Sequence, residues 1–239
     1  CIALLSGLPF VIRSIFLPLW AGWIFITCAY SLKPLRLKER GIWGLGVSSL
    51  AQWTLPMLIA FSAMERFGHG DMAVFAIANS ISGATLEIAH QRHDRTKDLS
   101  TGTETFGARV VPKKLDRLYA GALALDKLAI GCVAITVSLV LPGLGQTFFW
   151  TAAAVFLPAV YLVIALAALL ENRGRTARGS FLDPYYSTGH SANKLMHETV
   201  PNLIMPGYLL FLLALLAPVN GLVLAVFLFW RLVLGKADW

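Results

Sequence analysis

The chain has 239 residues, 57% of them hydrophobic and only 14% charged, with a formal net charge of +7 at pH 7. A soluble domain carries about a quarter charged residues, whereas several apolar runs here reach the ~20 residues that cross a ~30 Å hydrocarbon core; a soluble fold is excluded. The runs lack the apolar/polar alternation of a transmembrane barrel, which leaves an all-α membrane protein, a polytopic transmembrane helical bundle.

Taken in chain order, residues 1–12 read as the end of a span, broken by Gly7-Leu8-Pro9 and closed by Arg13. No basic segment precedes this apolar start, so it is not a signal peptide, and Cys1 is expected to lie inside a larger protein. Spans are predicted at about 14–32, 42–62, 72–92, 118–141, 146–170, 201–217 and 219–235. Lys33-Pro34 should stop the first of these, because the residue before a proline disfavours helix. A basic loop is predicted at 92–117, a tight turn at Pro142-Gly143-Leu144-Gly145, a long polar loop at 171–200 and a hairpin turn around Pro218-Val219-Asn220-Gly221. The whole of 1–239 is expected to form one transmembrane helical domain of about seven to eight helices.

Seventeen of the twenty Lys and Arg residues fall in the loops after the second, fourth and sixth segments or in the C-terminal tail. By the positive-inside rule the loops 33–41, 92–117 and 171–200 are cytoplasmic. Topology and anionic lipid headgroups account for the basic charge, and a nucleic-acid partner is not needed.

Glu87, Gln91, Asp94 and Asp98 are spaced four, three and four apart, which places them on one helical face. Two carboxylates one turn apart, at the mouth of a membrane segment, are candidate ligands for Mg²⁺, which takes a few carboxylate oxygens and fills its other positions with water or phosphate. The alternative is a pair of solvated charges matched to Arg92, Arg95 and Lys97. Carboxylates able to hold a cation would share one membrane face with Lys33, Arg36 and Lys38, cations able to hold phosphate. A ligand with a diphosphate head and a long hydrocarbon tail suits such a site.

Other residues carry weaker signals. Asn79, Glu87 and Gln91 are candidate cavity-lining residues, since intramembrane polar groups usually face a cavity; the alternatives are a helix–helix hydrogen bond for Asn79 and pairing with Arg92 for Glu87. Asp126 is a candidate acceptor-binding group or one half of a buried ion pair with Lys127. His90 and His93 lack the cysteine partners of a transition-metal site. Cys28 and Cys132 lie in apolar runs as small hydrophobes, and the tryptophans sit near span ends as interfacial belts do. The 171–200 loop is long enough to cap a site or to contact a membrane-protein partner.

Tyr30-Ser31-x-x-Pro34-Leu35-x-Leu37-Lys38 resembles the YSxPPxxLK signature of the UbiA superfamily of intramembrane prenyltransferases. Asp94-x-x-x-Asp98-x-x-x-Gly102-x-x-Thr105, followed by Phe106-Gly107, resembles that superfamily's second aspartate-rich motif. The resemblance covers most of residues 14–140. It implies a fold of about nine transmembrane helices and the transfer of an isoprenyl chain from its diphosphate to an acceptor, often a ring of a quinone, haem or chlorophyll pathway. It implies that Asp94 and Asp98 hold Mg²⁺ and the diphosphate, that Lys33, Arg36 and Lys38 contact the diphosphate, and that Tyr30 lines the catalytic cavity. The family's first aspartate-rich motif is absent from this chain, and counting spans places it before Cys1. Lys33 stands where relatives often carry a small residue or proline.

The leading expectation is thus a prenyltransferase, a transferase of alkyl groups other than methyl, with Mg²⁺ as cofactor. Its partners would be an isoprenyl diphosphate donor, a hydrophobic acceptor and the lipid bilayer. Two other readings stay open: a UbiA-type terpene cyclase, and a catalytically degenerate relative serving as a structural subunit of a membrane complex. A transporter would show inverted repeats with broken helices, and none is evident.

Overall fold

The computed structural model describes residues 15–63, 68, 70–140, 148–171, 195, 203, 205–216 and 218–234. No strand occurs among them, and the architecture is all-α. The span predicted at 1–12, the 142–145 turn and, apart from Leu195, the 171–200 loop lie outside the described residues. The chain forms two compact units, Cys1–Thr136 and Val137–Trp239.

The first unit opens with α1 (Phe16–Ser31), which stops where Leu32 turns extended ahead of Lys33-Pro34, a cis peptide. A short 3₁₀ turn (Leu37–Glu39) leads into α2 (Ile42–Ser49), a π-helical segment (Leu50–Thr54) and α3 (Leu55–Ala63). The π segment has a local cause. Pro56 has no N–H, so it cannot donate within the helix, and Leu55 N–H bonds to the Leu50 carbonyl, five residues back. That shift leaves the Ala51 carbonyl without its helical donor, and the Trp23 indole N–H of α1 supplies one at 2.7 Å. A buried carbonyl in a span cannot turn to water, so a neighbouring helix must satisfy it.

Next come α4 (Gly70–His93), α5 (Arg95–Thr101), α6 (Phe106–Arg109) and α7 (Pro112–Val140). α4 packs against α2 and the π segment on one side. Ser49 donates to the Ser80 carbonyl at 2.7 Å, and Thr54 and Ser80 share a hydroxyl bond of 2.8 Å. On α7, Thr85 donates to the Ala122 carbonyl (3.2 Å), Ser82 donates to Asp126, and Arg92 pairs with Asp116 at 2.6 Å. These pairings run in opposite chain directions, so α4 is antiparallel to α7.

The region predicted as a basic loop is largely helical. Pro112 sits at the first position of α7, where its missing N–H costs nothing, and α7 starts about two turns before its apolar stretch with Lys113, Lys114, Asp116 and Arg117. The second unit contains α8 (Phe148–Glu171), with Pro158 inside it, and a hairpin of α9 (Met205–Leu216) and α10 (Asn220–Phe229) that continues into a π segment (Trp230–Leu234). The Tyr208 hydroxyl of α9 donates to the Ala153 carbonyl of α8. Among the described residues, four helical stretches are long and apolar enough to cross a membrane: Ile42–Ile59, Gly70–His93, Pro112–Leu139 and Trp150–Ala167.

Candidate functional site

Most of the sequence-predicted residues of the first unit, Asn79 and Asp126 apart, lie where the α1–α2 connection meets the end of α4. α4 does not run straight through its polar tail. Asp94 adopts φ −81°, ψ 0° between α4 and α5, yet Asp94 N–H bonds to the His90 carbonyl and Asp98 N–H to the Asp94 carbonyl, so the two carboxylates still stand one turn apart. α5 ends at Gly102, whose φ of +66° is the left-handed conformation that closes a helix and that glycine adopts without a Cβ clash. Thr103 N–H then reaches back to the Asp98 carbonyl at 2.9 Å.

Asp94 is exposed and Asp98 half-buried. Neither has an ion-pair partner among the described residues, although three arginines are close in sequence. Arg92 is taken by Asp116 and lies over the Tyr119 ring, 5.2 Å from its centroid. Arg95 donates to the carbonyls of Gly107 (3.1 Å) and Val110 (3.4 Å). Arg109 pairs with Glu104 at 2.5 Å and donates to the Glu39 carbonyl at 3.0 Å. Among the described residues neither aspartate forms an ion pair with Arg92, Arg95 or Lys97, the cations of the alternative reading, while Asp94 is solvent-exposed as that reading has it. One oxygen of Asp98, Oδ2, accepts the Thr105 hydroxyl at 2.8 Å.

The Arg109 bridge draws the 37–41 segment to the 104–109 segment, so the two motifs meet at one end of the bundle. Lys33 is exposed, Lys38 half-buried, and neither has an ion-pair partner among the described residues. Arg36 pairs with Glu39 at 3.1 Å. Its φ of +37° is left-handed backbone at a non-glycine residue, a placement that costs about 1–3 kcal/mol and tends to mark binding segments.

Beneath these groups lies Glu87. Its Oε1 accepts the Tyr30 hydroxyl (3.1 Å) and the Gln91 amide (2.8 Å), and its Oε2 accepts the Ser48 hydroxyl (2.7 Å). Ser48 in turn accepts the Gln52 amide at 3.0 Å. Gln91, 5% exposed, uses its carbonyl to accept the Gly107 N–H at 2.9 Å. Gly107 must be glycine: a Cβ there would stand 2.7 Å from the main-chain carbonyl oxygen of Gln91. The Asp98 carboxylate lies within electrostatic reach of Tyr30.

Asn79 and Asp126 do not join this group. Asn79 donates to its own helix, to the Phe75 carbonyl at 2.9 Å. Asp126, 6% exposed, accepts from Ser82 and pairs with Lys127 at 2.7 Å, the buried ion pair of the two readings. Ser48 and Arg109 were not singled out by sequence. A serine inside an apolar run gives no signal, whereas Thr105 stood within the aspartate-rich motif and also caps α6 by accepting the Ala108 N–H at 3.3 Å.

No cluster of three or more His, Cys, Asp or Glu occurs among the described residues. The two aspartates are still a donor set of the kind Mg²⁺ takes, hard carboxylates without an ion-pair partner among the described residues.

Residues 1–187 match the UbiA prenyltransferase family. The chain belongs to that family. It is an integral membrane protein of intramembrane prenyltransferase descent. No curated protein and no solved structure matches it.

Proposed function

We propose that this UbiA-family chain is a Mg²⁺-dependent prenyltransferase that moves an isoprenyl group from its diphosphate to a small hydrophobic acceptor of the aromatic, quinone or chlorophyll type. One observation carries the reading: Asp94 and Asp98, one turn apart, lack ion-pair partners among the described residues, while every arginine near them is engaged elsewhere. Asp94 and Asp98 would hold the cation, and Mg²⁺ would supply charge neutralisation to a departing diphosphate. Lys33, Arg36 and Lys38, tethered nearby through the Arg109–Glu39 contact, would bind the diphosphate oxygens. Tyr30 would line the cavity beside them, and the apolar helices would exclude water from the allylic cation until the acceptor attacks. We assign this end of the bundle to the cytoplasmic side on the Lys/Arg distribution.

The test uses membranes bearing the full-length protein, Mg²⁺ and isoprenyl diphosphates of several lengths, with diphosphate release and lipid products followed by mass spectrometry. Mg²⁺-dependent release that disappears in Asp98→Asn is the expected result, and the product mass separates acceptor prenylation from cyclisation. Absence of release from every donor would leave the structural-subunit reading.

A further inference from the structure

Every hydrogen bond around Glu87 has a forced direction. An ionised carboxylate only accepts, so Tyr30, Ser48 and Gln91 must each donate to it. With its amide N–H committed to Glu87, Gln91 turns its carbonyl to the Gly107 N–H. The backbone at Gly107 is then pinned by contact as well as by the bond, since its Cα lies against the Gln91 main chain. Two residues earlier, the Thr105 hydroxyl accepts from Ala108 N–H, which leaves its single proton for Asp98 Oδ2. Arg95 fastens the same turn through the Gly107 and Val110 carbonyls. The result is two hydrogen-bonded runs, one converging on Glu87 from α1, α2, α4 and α6 and one ending on Asp98 of α5, joined through the backbone of the 105–108 turn.

We propose that Glu87 is a positioning residue: through Gln91 and the Thr105–Arg109 turn it fixes the orientation of the Asp98 carboxylate, and through Tyr30 it fixes the end of α1 beside the same group. With Oδ2 occupied by Thr105, Asp98 presents Oδ1 to a cation. Glu87 itself does not touch the cation or the diphosphate. Its three donors make it an anchor, which differs from the cavity-lining role its sequence position suggests. Replacing it by glutamine keeps the shape but removes the charge and one of the two acceptor oxygens, so at least one of the three donors must give up its bond or, as the Ser48 hydroxyl can, reverse it.

The inference rests on the cation-binding reading of Asp94 and Asp98, and the experiment separates the two. Purified full-length protein in lipid nanodiscs is titrated with Mn²⁺ in the presence of inorganic diphosphate, and free Mn²⁺ is read by electron paramagnetic resonance. Wild type, Asp98→Asn, Glu87→Gln, Thr105→Val and Thr105→Ser are compared, each checked for its thermal unfolding midpoint. Loss of an outer partner of a metal ligand costs about 10–100-fold in affinity, so Thr105→Val should weaken Mn²⁺ binding by that order, and Glu87→Gln, one step further out, should weaken it in the same direction by less. Thr105→Ser, which keeps the hydroxyl, should bind as wild type does. In metal-free protein, the amides of 105–109 should exchange with deuterium faster in Glu87→Gln than in wild type.

Unchanged Mn²⁺ affinity in Glu87→Gln, with Asp98→Asn abolishing binding, overturns the positioning role alone. If Asp98→Asn binds like wild type, or wild type does not bind, the cation reading falls and the positioning role with it. Should Glu87→Gln fail to fold, the Thr105→Val and Thr105→Ser pair decides: equal affinities in the two overturn the relay.

Discussion

Two carboxylates of the first unit sit inside predicted spans and are held in opposite ways. Asp126 is neutralised by Lys127 at 2.7 Å and further bonded by Ser82. Glu87 accepts three bonds from neutral donors and no cation pairs with it among the described residues. A charge cancelled by its neighbour contributes little field beyond the pair, so Asp126–Lys127 acts on packing between α4 and α7. A charge solvated by neutral dipoles keeps its field. It can therefore bias the region where Asp94, Asp98, Lys33 and Lys38 lie. The partners of a carboxylate within a span thus separate a structural charge from one that serves a site.

The largest expected effects break this comparison at its functional end. Asp98→Asn should lower Mg²⁺-dependent diphosphate release by more than about a hundredfold, beyond the loss of an outer-shell partner, and chelation of divalent cations should abolish release in wild type until Mg²⁺ is restored. Asp126→Asn should alter release by less than about tenfold in the fraction that folds. Equal losses in the two variants would erase the distinction.

At the structural end the ranking reverses. Asp126→Asn removes the carboxylate that pairs with Lys127 at 2.7 Å, and breaking a buried pair from one side costs about 3–5 kcal/mol. The double variant Asp126→Leu with Lys127→Met should recover most of that, because apolar residues of similar volume replace such pairs at little net cost. Thermal unfolding in nanodiscs checks both, and a double variant as unstable as the single one would show that the pair does more than neutralise itself.

A smaller effect is expected at the π segment. Trp23→Phe keeps an aromatic ring but removes the indole N–H that donates to the Ala51 carbonyl, and an orphaned buried acceptor costs about 1–3 kcal/mol. The same midpoint measurement reads it, and an unchanged midpoint would mean that the carbonyl finds another donor.

These pairings mark where sequence reasoning stopped. Hydropathy located the spans well: α1, expected at 14–32, covers Phe16–Ser31, and α4, expected at 72–92, covers Gly70–His93. The four-residue spacing of Asp94 and Asp98 was legible because it is local. Tyr30 and Glu87 are 57 residues apart and Arg109 and Glu39 are 70 apart; no periodicity reports contacts of that range. The helical content of 92–117 was hidden because charges ended the hydropathy window while the backbone went on as helix. Pro112, placed where a helix tolerates it best, was the unused signal, and Pro56 was the equivalent signal for the π segment.

The finest test concerns Arg36, where the stability and the binding arguments pull apart. Its φ of +37° is a conformation glycine reaches without Cβ strain. Arg36→Gly should therefore stabilise the folded protein by up to about 1 kcal/mol, offset in part by the more flexible unfolded chain and by loss of the half-exposed Glu39 pair, itself worth little. The same change removes a cation from the segment proposed to bind diphosphate, so the half-saturating donor concentration should rise severalfold with a smaller change in turnover. A rise in unfolding midpoint together with weaker donor binding means the strained turn is kept for the arginine it presents. A lower midpoint with unaltered donor binding would assign Arg36 to holding the α1–α2 connection, and would remove it from the site.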